Sequence, residues 1–175
     1  MDDSKKKVDH QHEQQVALDE AAANNALKFF EQLGSSLESL PLNTNGHDYM
    51  SQLMLRFLKV DSISRGRVTC SFSVLPPFVN YYEGLQGGVV ATVAERLATA
   101  CARTMVGEEK PLFLGEQSIS YLSAASMNAE LVADGKVLRS GRNLTVASVE
   151  IKLKETKKLL YISQATFYHL PISKL

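Results

Sequence analysis

Residues 87–105 read GGVVATVAERLATACARTM, and this stretch decides the fold. It consists of small residues and good helix formers, and its only charges are Glu95, Arg96 and Arg103. Because a helix this apolar must be surrounded by protein on most of its sides, we expect it to be buried at the centre of the domain.

The segments on both sides of this helix alternate apolar and polar residues, which is the pattern of half-buried strands. Predicted strands, two before the helix and four after it, cover residues 53–60, 68–74, 113–123, 129–139, 149–153 and 159–168. Gly135 is a possible bulge. Because the last four strands are close in sequence, they favour an antiparallel meander. The expected fold class is therefore α+β, a curved antiparallel sheet wrapped around a central buried helix.

The rest of the chain is more polar and divides the sequence into four parts. Residues 1–14 are predicted to form a mobile polar arm, and residues 15–49 a helix, ended by Gly34, and a loop. The domain itself is expected over 50–170, and 171–175 form a tail.

The composition excludes several classes of function. Apolar residues make up 45% of the 175 residues, and Lys plus Arg equals Asp plus Glu at 19 each, so no net charge is available to grip nucleic acid or an anionic membrane. No apolar run is long enough to span a bilayer, and the first residues lack the apolar core of a secretory signal. Cys70 and Cys101 form no CxxC, which excludes a disulfide scaffold and a Cys-based zinc site, and His10 and His12 have no third metal ligand nearby.

The chain ends in Ser173, Lys174 and Leu175, the tripeptide that the peroxisomal import receptor reads. Pro171 cannot continue a strand ladder, so the tail is expected to leave the fold and stay accessible. We therefore predict a protein of the peroxisomal matrix, a compartment of acyl-CoA and lipid metabolism.

The central helix carries polar groups that are unusual for a buried element. Thr92, Glu95 and Thr99 are spaced three and four residues apart and share one face. A carboxylate there is costly to bury, and no cation lies one helical turn away. Glu95 is therefore either one half of a structural ion pair with a cation elsewhere in the fold, or an unpaired general base or nucleophile with a raised pKa.

The start of the helix suits an oxyanion. Free backbone N–H groups at Gly87 and Gly88 lie at the positive end of the helix dipole, and glycine allows a ligand carbonyl to approach closely. Gly87 and Glu95 are about 12 Å apart along the helix axis, so a site that uses both lies along the flank and could be completed by a second subunit. The alternative is that the glycines only allow close packing against the sheet.

The run NYYEGLQGGVVATVAE, which begins at Asn80, resembles the active-site segment of hotdog-fold acyl-CoA thioesterases. The resemblance is nearest to the branch that includes phenylacetyl-CoA and 4-hydroxybenzoyl-CoA thioesterases, and it covers about residues 50–170. That family places Asn or Gln seven residues before the first Gly of an HGG-type motif and Asp or Glu eight residues after it. Asn80, Gly87 and Glu95 meet both spacings, and Thr99 stands where a Thr or Ser commonly assists.

The resemblance implies hydrolysis of an acyl-CoA to free acid and CoA, in a dimer or tetramer, with CoA only as part of the substrate and no other cofactor. It implies that the Gly87 N–H stabilises the oxyanion and that Glu95 acts as base toward water or as nucleophile. It further implies that Asn80, from the partner subunit, orients the thioester or the water, and that Thr99 holds the water or the carboxylate.

Two residues depart from the family pattern. Gln86 replaces the usual His of the HGG motif, and Leu114 stands where some members have a Ser. Gly88 and Gln86 are still expected to contact the substrate. Arg142 and its basic neighbours could meet the CoA phosphates.

Two other functions remain open from the sequence. Hotdog hydratases use a His and a carboxylate, and His169 is the histidine that might approach Glu95 in space. A non-catalytic acyl-CoA binder would explain the Gln86 and Leu114 departures.

Overall fold

The structure is a computed structural model that describes residues 3–32 and 57–170, with side chains in the first range described over 14–28. A long helix precedes two strands, a second helix and four strands. The elements are α1 (Asp3–Gln32), β1 (Lys59–Ser64), β2 (Arg67–Ser73), α2 (Gly87–Arg103), β3 (Leu112–Tyr121), β4 (Glu130–Ser140), β5 (Leu144–Leu153) and β6 (Leu159–His169). This arrangement confirms the predicted α+β class and is the hotdog fold.

The six strands form one antiparallel sheet in the order β1-β2-β4-β5-β6-β3, which wraps around α2. The predicted meander is correct for β4, β5 and β6 but wrong for β3, which pairs with β6 at the far edge. After β3 the chain crosses to the other side of the sheet, where β4 pairs with β2. On the way, Ala125 O accepts a hydrogen bond from Leu85 N–H (2.8 Å) and Ala129 O accepts one from Val74 N–H (3.0 Å). Sequence proximity does not reveal such a crossing.

The core is formed where α2 lies against the sheet, and Gly135 sets how closely it lies. A Cβ at Gly135 would come within 2.6 Å of Cys101 Sγ and 3.0 Å of Leu97 Cγ. The predicted bulge at Gly135 is therefore wrong: pairing with β2 is continuous there, and the register of β4 against β5 shifts between Val137 and Arg139 instead. This glycine makes room for the helix.

The two cysteines are fully buried free thiols in this core. Burial raises the pKa of Cys70 and of Cys101 to about 12, because a thiolate would lose its hydration there. Both side chains therefore stay protonated and pack as small apolar groups.

Helix α1 begins at Asp3, well before the predicted start at residue 15, so residues 3–14 of the arm expected to be mobile have a helical backbone. The early start follows from composition, because Lys, Gln and Glu are good helix formers. Ala22 and Ala26 are buried where α1 packs against α2. The predicted end at Gly34 lies outside the described residues.

The first strand differs from its prediction over 53–60. Residues 53–56 lie outside the described residues, and β1 runs from Lys59 to Ser64. The register against β2 shifts between Val60 and Ser62, so the alternation of apolar and polar residues is broken inside the strand. This break in the alternation of apolar and polar residues explains why the sequence pattern did not predict β1 at its observed position.

Candidate active site

Helix α2 begins with unused backbone donors. Gln86 caps the helix: its carbonyl accepts a hydrogen bond from Val89 N–H (3.0 Å), and its Nε2 donates to Val79 O (2.9 Å). Gly87 and Gly88 are exposed, and their N–H groups form no hydrogen bond with the described residues. These donors, at the positive end of the helix dipole, can receive an oxyanion.

The space beside the two glycines differs. A Cβ at Gly87 would contact the Tyr121 ring (3.4 Å to Cε1), and the Tyr121 hydroxyl donates to Gly87 O (3.1 Å). A Cβ at Gly88 would meet nothing within 4 Å. Close packing against β3 therefore accounts for Gly87 only, and the space beside Gly88 is open to a ligand.

The face of α2 that carries Glu95 is only partly covered by the described chain. Thr92, Glu95 and Thr99 are all half-buried on one side of the helix. Thr92 donates to Gly88 O and Thr99 to Glu95 O, both at 2.9 Å. The Glu95 carboxylate forms no hydrogen bond or ion pair with any residue of the described ranges, so the ion-pair interpretation finds no partner there.

Arg96, the neighbour of Glu95, has a nitrogen that is unpaired among the described residues. Its Nε is buried and has no hydrogen-bond acceptor, and no ion pair joins it to Glu95. The two adjacent charges of α2 therefore point to different surroundings, as their separation of about 100° around the helix requires.

Asn80 builds a tight turn before the helix. Its Oδ1 accepts hydrogen bonds from Tyr82 N–H (2.9 Å) and Gly84 N–H (3.1 Å), and its own N–H donates to Gly84 O (2.8 Å). Glu83 has a φ of 60° in this turn. Within the described residues, no hydrogen bond joins Asn80 to Gly87 or Glu95, and the Asn80 Nδ2 remains available.

A line of polar groups on β3 follows α2, and sequence reasoning missed it. Tyr121 donates to Gly87 O, and Gln117 Nε2 donates to Ala91 O (3.1 Å), one helical turn further on. Gly115 was the feature of the sequence that could have indicated this arrangement, because an isolated glycine in a strand often marks a bulge. The register of β3 shifts between Leu114 and Glu116, so residue 117 rather than 116 faces the helix.

The remaining predicted residues lie elsewhere. His169 Nε2 is 2.9 Å from Thr145 Oγ1 and its Nδ1 is 3.0 Å from Arg142 O, so both ring nitrogens have partners and neither is Glu95. The Arg142 side chain is exposed in the turn between β4 and β5. The targeting residues 173–175 lie outside the described residues.

The described ranges contain neither a metal-binding cluster nor a membrane-spanning helix. No cluster of three or more His, Cys, Asp or Glu residues there could hold a metal ion. None of the helices there combines the length and the apolar character needed to cross a membrane.

Comparison with known proteins relates this chain to thioesterases. Residues 85–160 match the family model of the thioesterase superfamily. Human acyl-coenzyme A thioesterase 13 is 29% identical over 99 residues, which cover 57% of this chain and 70% of that protein. The structure of zebrafish thioesterase superfamily member 2 superposes with a TM-score of 0.68 at 24% identity, over 82% of this chain and 94% of the other.

A hypothetical thioesterase from Streptococcus pneumoniae, whose structure contains coenzyme A, superposes with a TM-score of 0.61 at 20% identity, over 66% of this chain and 87% of the other. At these identities the superpositions show the fold. The chain therefore has the hotdog fold, its residues 85–160 match the thioesterase superfamily model, and the proteins it resembles include acyl-CoA thioesterases.

Proposed function

We propose that this protein is an acyl-CoA thioesterase, which adds water to R–CO–S–CoA and releases the free acid and CoA. The observation that carries the proposal is the Glu95 carboxylate, which has no partner in the described residues and lies on the same helix as the free donors of Gly87 and Gly88. The superfamily match and the acyl-CoA thioesterase relatives support it.

In the proposed reaction the Gly87 N–H, assisted by the helix dipole, stabilises the oxyanion that develops on the thioester carbonyl. Glu95 takes a proton from the attacking water, or attacks the carbonyl itself and is released by water in a second step. The Thr99 hydroxyl donates a hydrogen bond to the backbone carbonyl of Glu95. Its oxygen is therefore left to accept a hydrogen bond from the water. CoA leaves as thiolate and recovers the proton.

We also propose that two copies of the chain complete the site. Gly87 and Glu95 are about 12 Å apart along α2, so one thioester needs groups from a second chain to meet both. The Nδ2 of Asn80 is available for that role. β3 is an edge of the sheet and carries the exposed side chains of Phe113 and Tyr121, so it is the edge where we expect the second copy to pair.

The test is thiol release from a panel of short, long, branched and aromatic acyl-CoAs. Glu95→Gln should lower kcat by at least about 100-fold, since a general base is commonly worth about 10²–10⁴. The matched control is Glu155→Gln, which neutralises an exposed carboxylate in the turn between β5 and β6, away from α2 and from the β3 edge. Thiol release that survives in Glu95→Gln would refute the role of Glu95. If wild type releases no thiol from any substrate but binds acyl-CoA, the protein is a binder.

A further inference from the structure

Gln117 is a polar side chain of β3 that is turned toward α2 in an otherwise apolar layer. It is half-buried, and its Nε2 lies 3.1 Å from Ala91 O and 3.4 Å from Ser163 Oγ. Ser163 is itself buried, on β6, and Gln117 is its side-chain partner. A buried polar pair of this kind needs a reason, since apolar residues would pack as well.

The hydrogen bonds determine how the amide is oriented. Ala91 O can only accept, so it must face the Nε2 of Gln117 and not the Oε1. Nε2 has two hydrogens, and Ala91 O and Ser163 Oγ account for both. The Oε1 has no hydrogen-bond partner among the described residues, and as an amide oxygen it can accept hydrogen bonds but cannot donate them.

The position of this free acceptor is defined by α2. Ala91 lies one turn after Gly87 and one turn before Glu95, so the three residues form one column along the helix. Tyr121 contacts the first of them and Gln117 the second. The amide of Gln117 therefore lies level with the interval between the free N–H groups and the unpaired carboxylate.

We propose that Gln117 Oε1 accepts a hydrogen bond from the water that attacks the thioester, and that Ser163 positions the amide for this role; the inference rests on the proposed thioesterase function. One proton of the water passes to Glu95 and the other is held by Oε1. The water oxygen bonds to the carbonyl carbon, the C–S bond breaks, and the leaving thiolate recovers the proton from Glu95. If Glu95 is the nucleophile, the same water hydrolyses the acyl-enzyme.

The test compares hydrolysis with transfer of the acyl group to hydroxylamine, in full-length protein with an acyl-CoA that wild type hydrolyses. Gln117→Met keeps the volume and removes the acceptor, and Gln164→Met is the control on the exposed face of β6. We expect kcat for hydrolysis to fall about 10- to 100-fold in Gln117→Met with KM within about twofold. The ratio of hydroxamate to acid should rise, because hydroxylamine does not depend on the water site.

Gln117→Asn is the second variant, for use if the Met variant unfolds, because it retains an amide that can pair with Ala91 O. Its shorter amide cannot reach both Ala91 O and the water, so it should show the same change of ratio. An unchanged hydroxamate to acid ratio in a folded Gln117 variant overturns the inference, while loss of thiol release in Glu95→Gln still supports the proposed function. Absence of thiol release in wild type overturns both.

Discussion

Replacing Gly135 by alanine tests how closely α2 packs against the sheet. The added Cβ would lie 2.6 Å from Cys101 Sγ and 3.0 Å from Leu97 Cγ, both of which are fully buried in the core. Overpacking of this kind typically costs about 1–3 kcal/mol of unfolding free energy. For a chain of this size, that corresponds to a melting temperature lower by roughly 2–12 °C.

Urea unfolding followed by circular dichroism measures the effect, with Gly88→Ala as the control. A Cβ at Gly88 would meet nothing within 4 Å, so that variant should unfold at or above the wild-type midpoint. In a double-mutant cycle, Cys101→Ala should restore at least about 1 kcal/mol to Gly135→Ala, because it removes the sulfur that the new Cβ meets. A Gly135→Ala protein as stable as wild type, with no coupling to Cys101, would refute this account of the packing.

Three further predictions concern charge, thiols and targeting. The Arg67 guanidinium donates to Asp134 and lowers the pKa of that carboxyl, so the stabilisation is present above pH about 4 and is lost as the pH falls through the folded pKa. In Asp134→Asn the urea midpoint should therefore fall less steeply with decreasing pH than in wild type. An unchanged dependence of the midpoint on acid pH would contradict the pairing. Cys70 and Cys101, with thiol pKa values raised to about 12, should react with a thiol reagent at pH 8 only after unfolding; rapid labelling of the native protein would show that they are accessible. Removing residues 173–175 from this chain should leave thiol release unchanged and abolish peroxisomal import in cells; continued import would refute the targeting role.

Most of the fold followed from local patterns in the sequence. The apolar run became α2 (Gly87–Arg103), and the alternating segments became β2 to β6 in the predicted order. The errors in the sheet each involved an interaction between distant residues or a break in period, whereas the early start of α1 followed from composition. Gly135 is explained by Cys101, which is distant in sequence, and β1 was misplaced because a shift at Val60 interrupts its alternation.

The candidate site was predicted only as far as it lies on one segment. Helical spacing was enough to relate Gly87 to Glu95. It did not show that Asn80 uses its Oδ1 to build a turn, which leaves only Nδ2 for another partner. Gln117 was missed because the register shift beside Gly115 changes which side chains of β3 face the helix.

The sequence by itself determined the buried helix, the order of the strands along the chain, and the spacing of the free N–H groups from the carboxylate. These features depend on composition and on residues a few positions apart. The tertiary structure alone decided that β3 is an edge strand beside β6, and that Tyr121 and Gln117 contact the column from Gly87 to Glu95. The reason is physical: strand order and side-chain contacts depend on hydrogen bonds between distant segments, and a one-residue register shift reverses the faces of a strand.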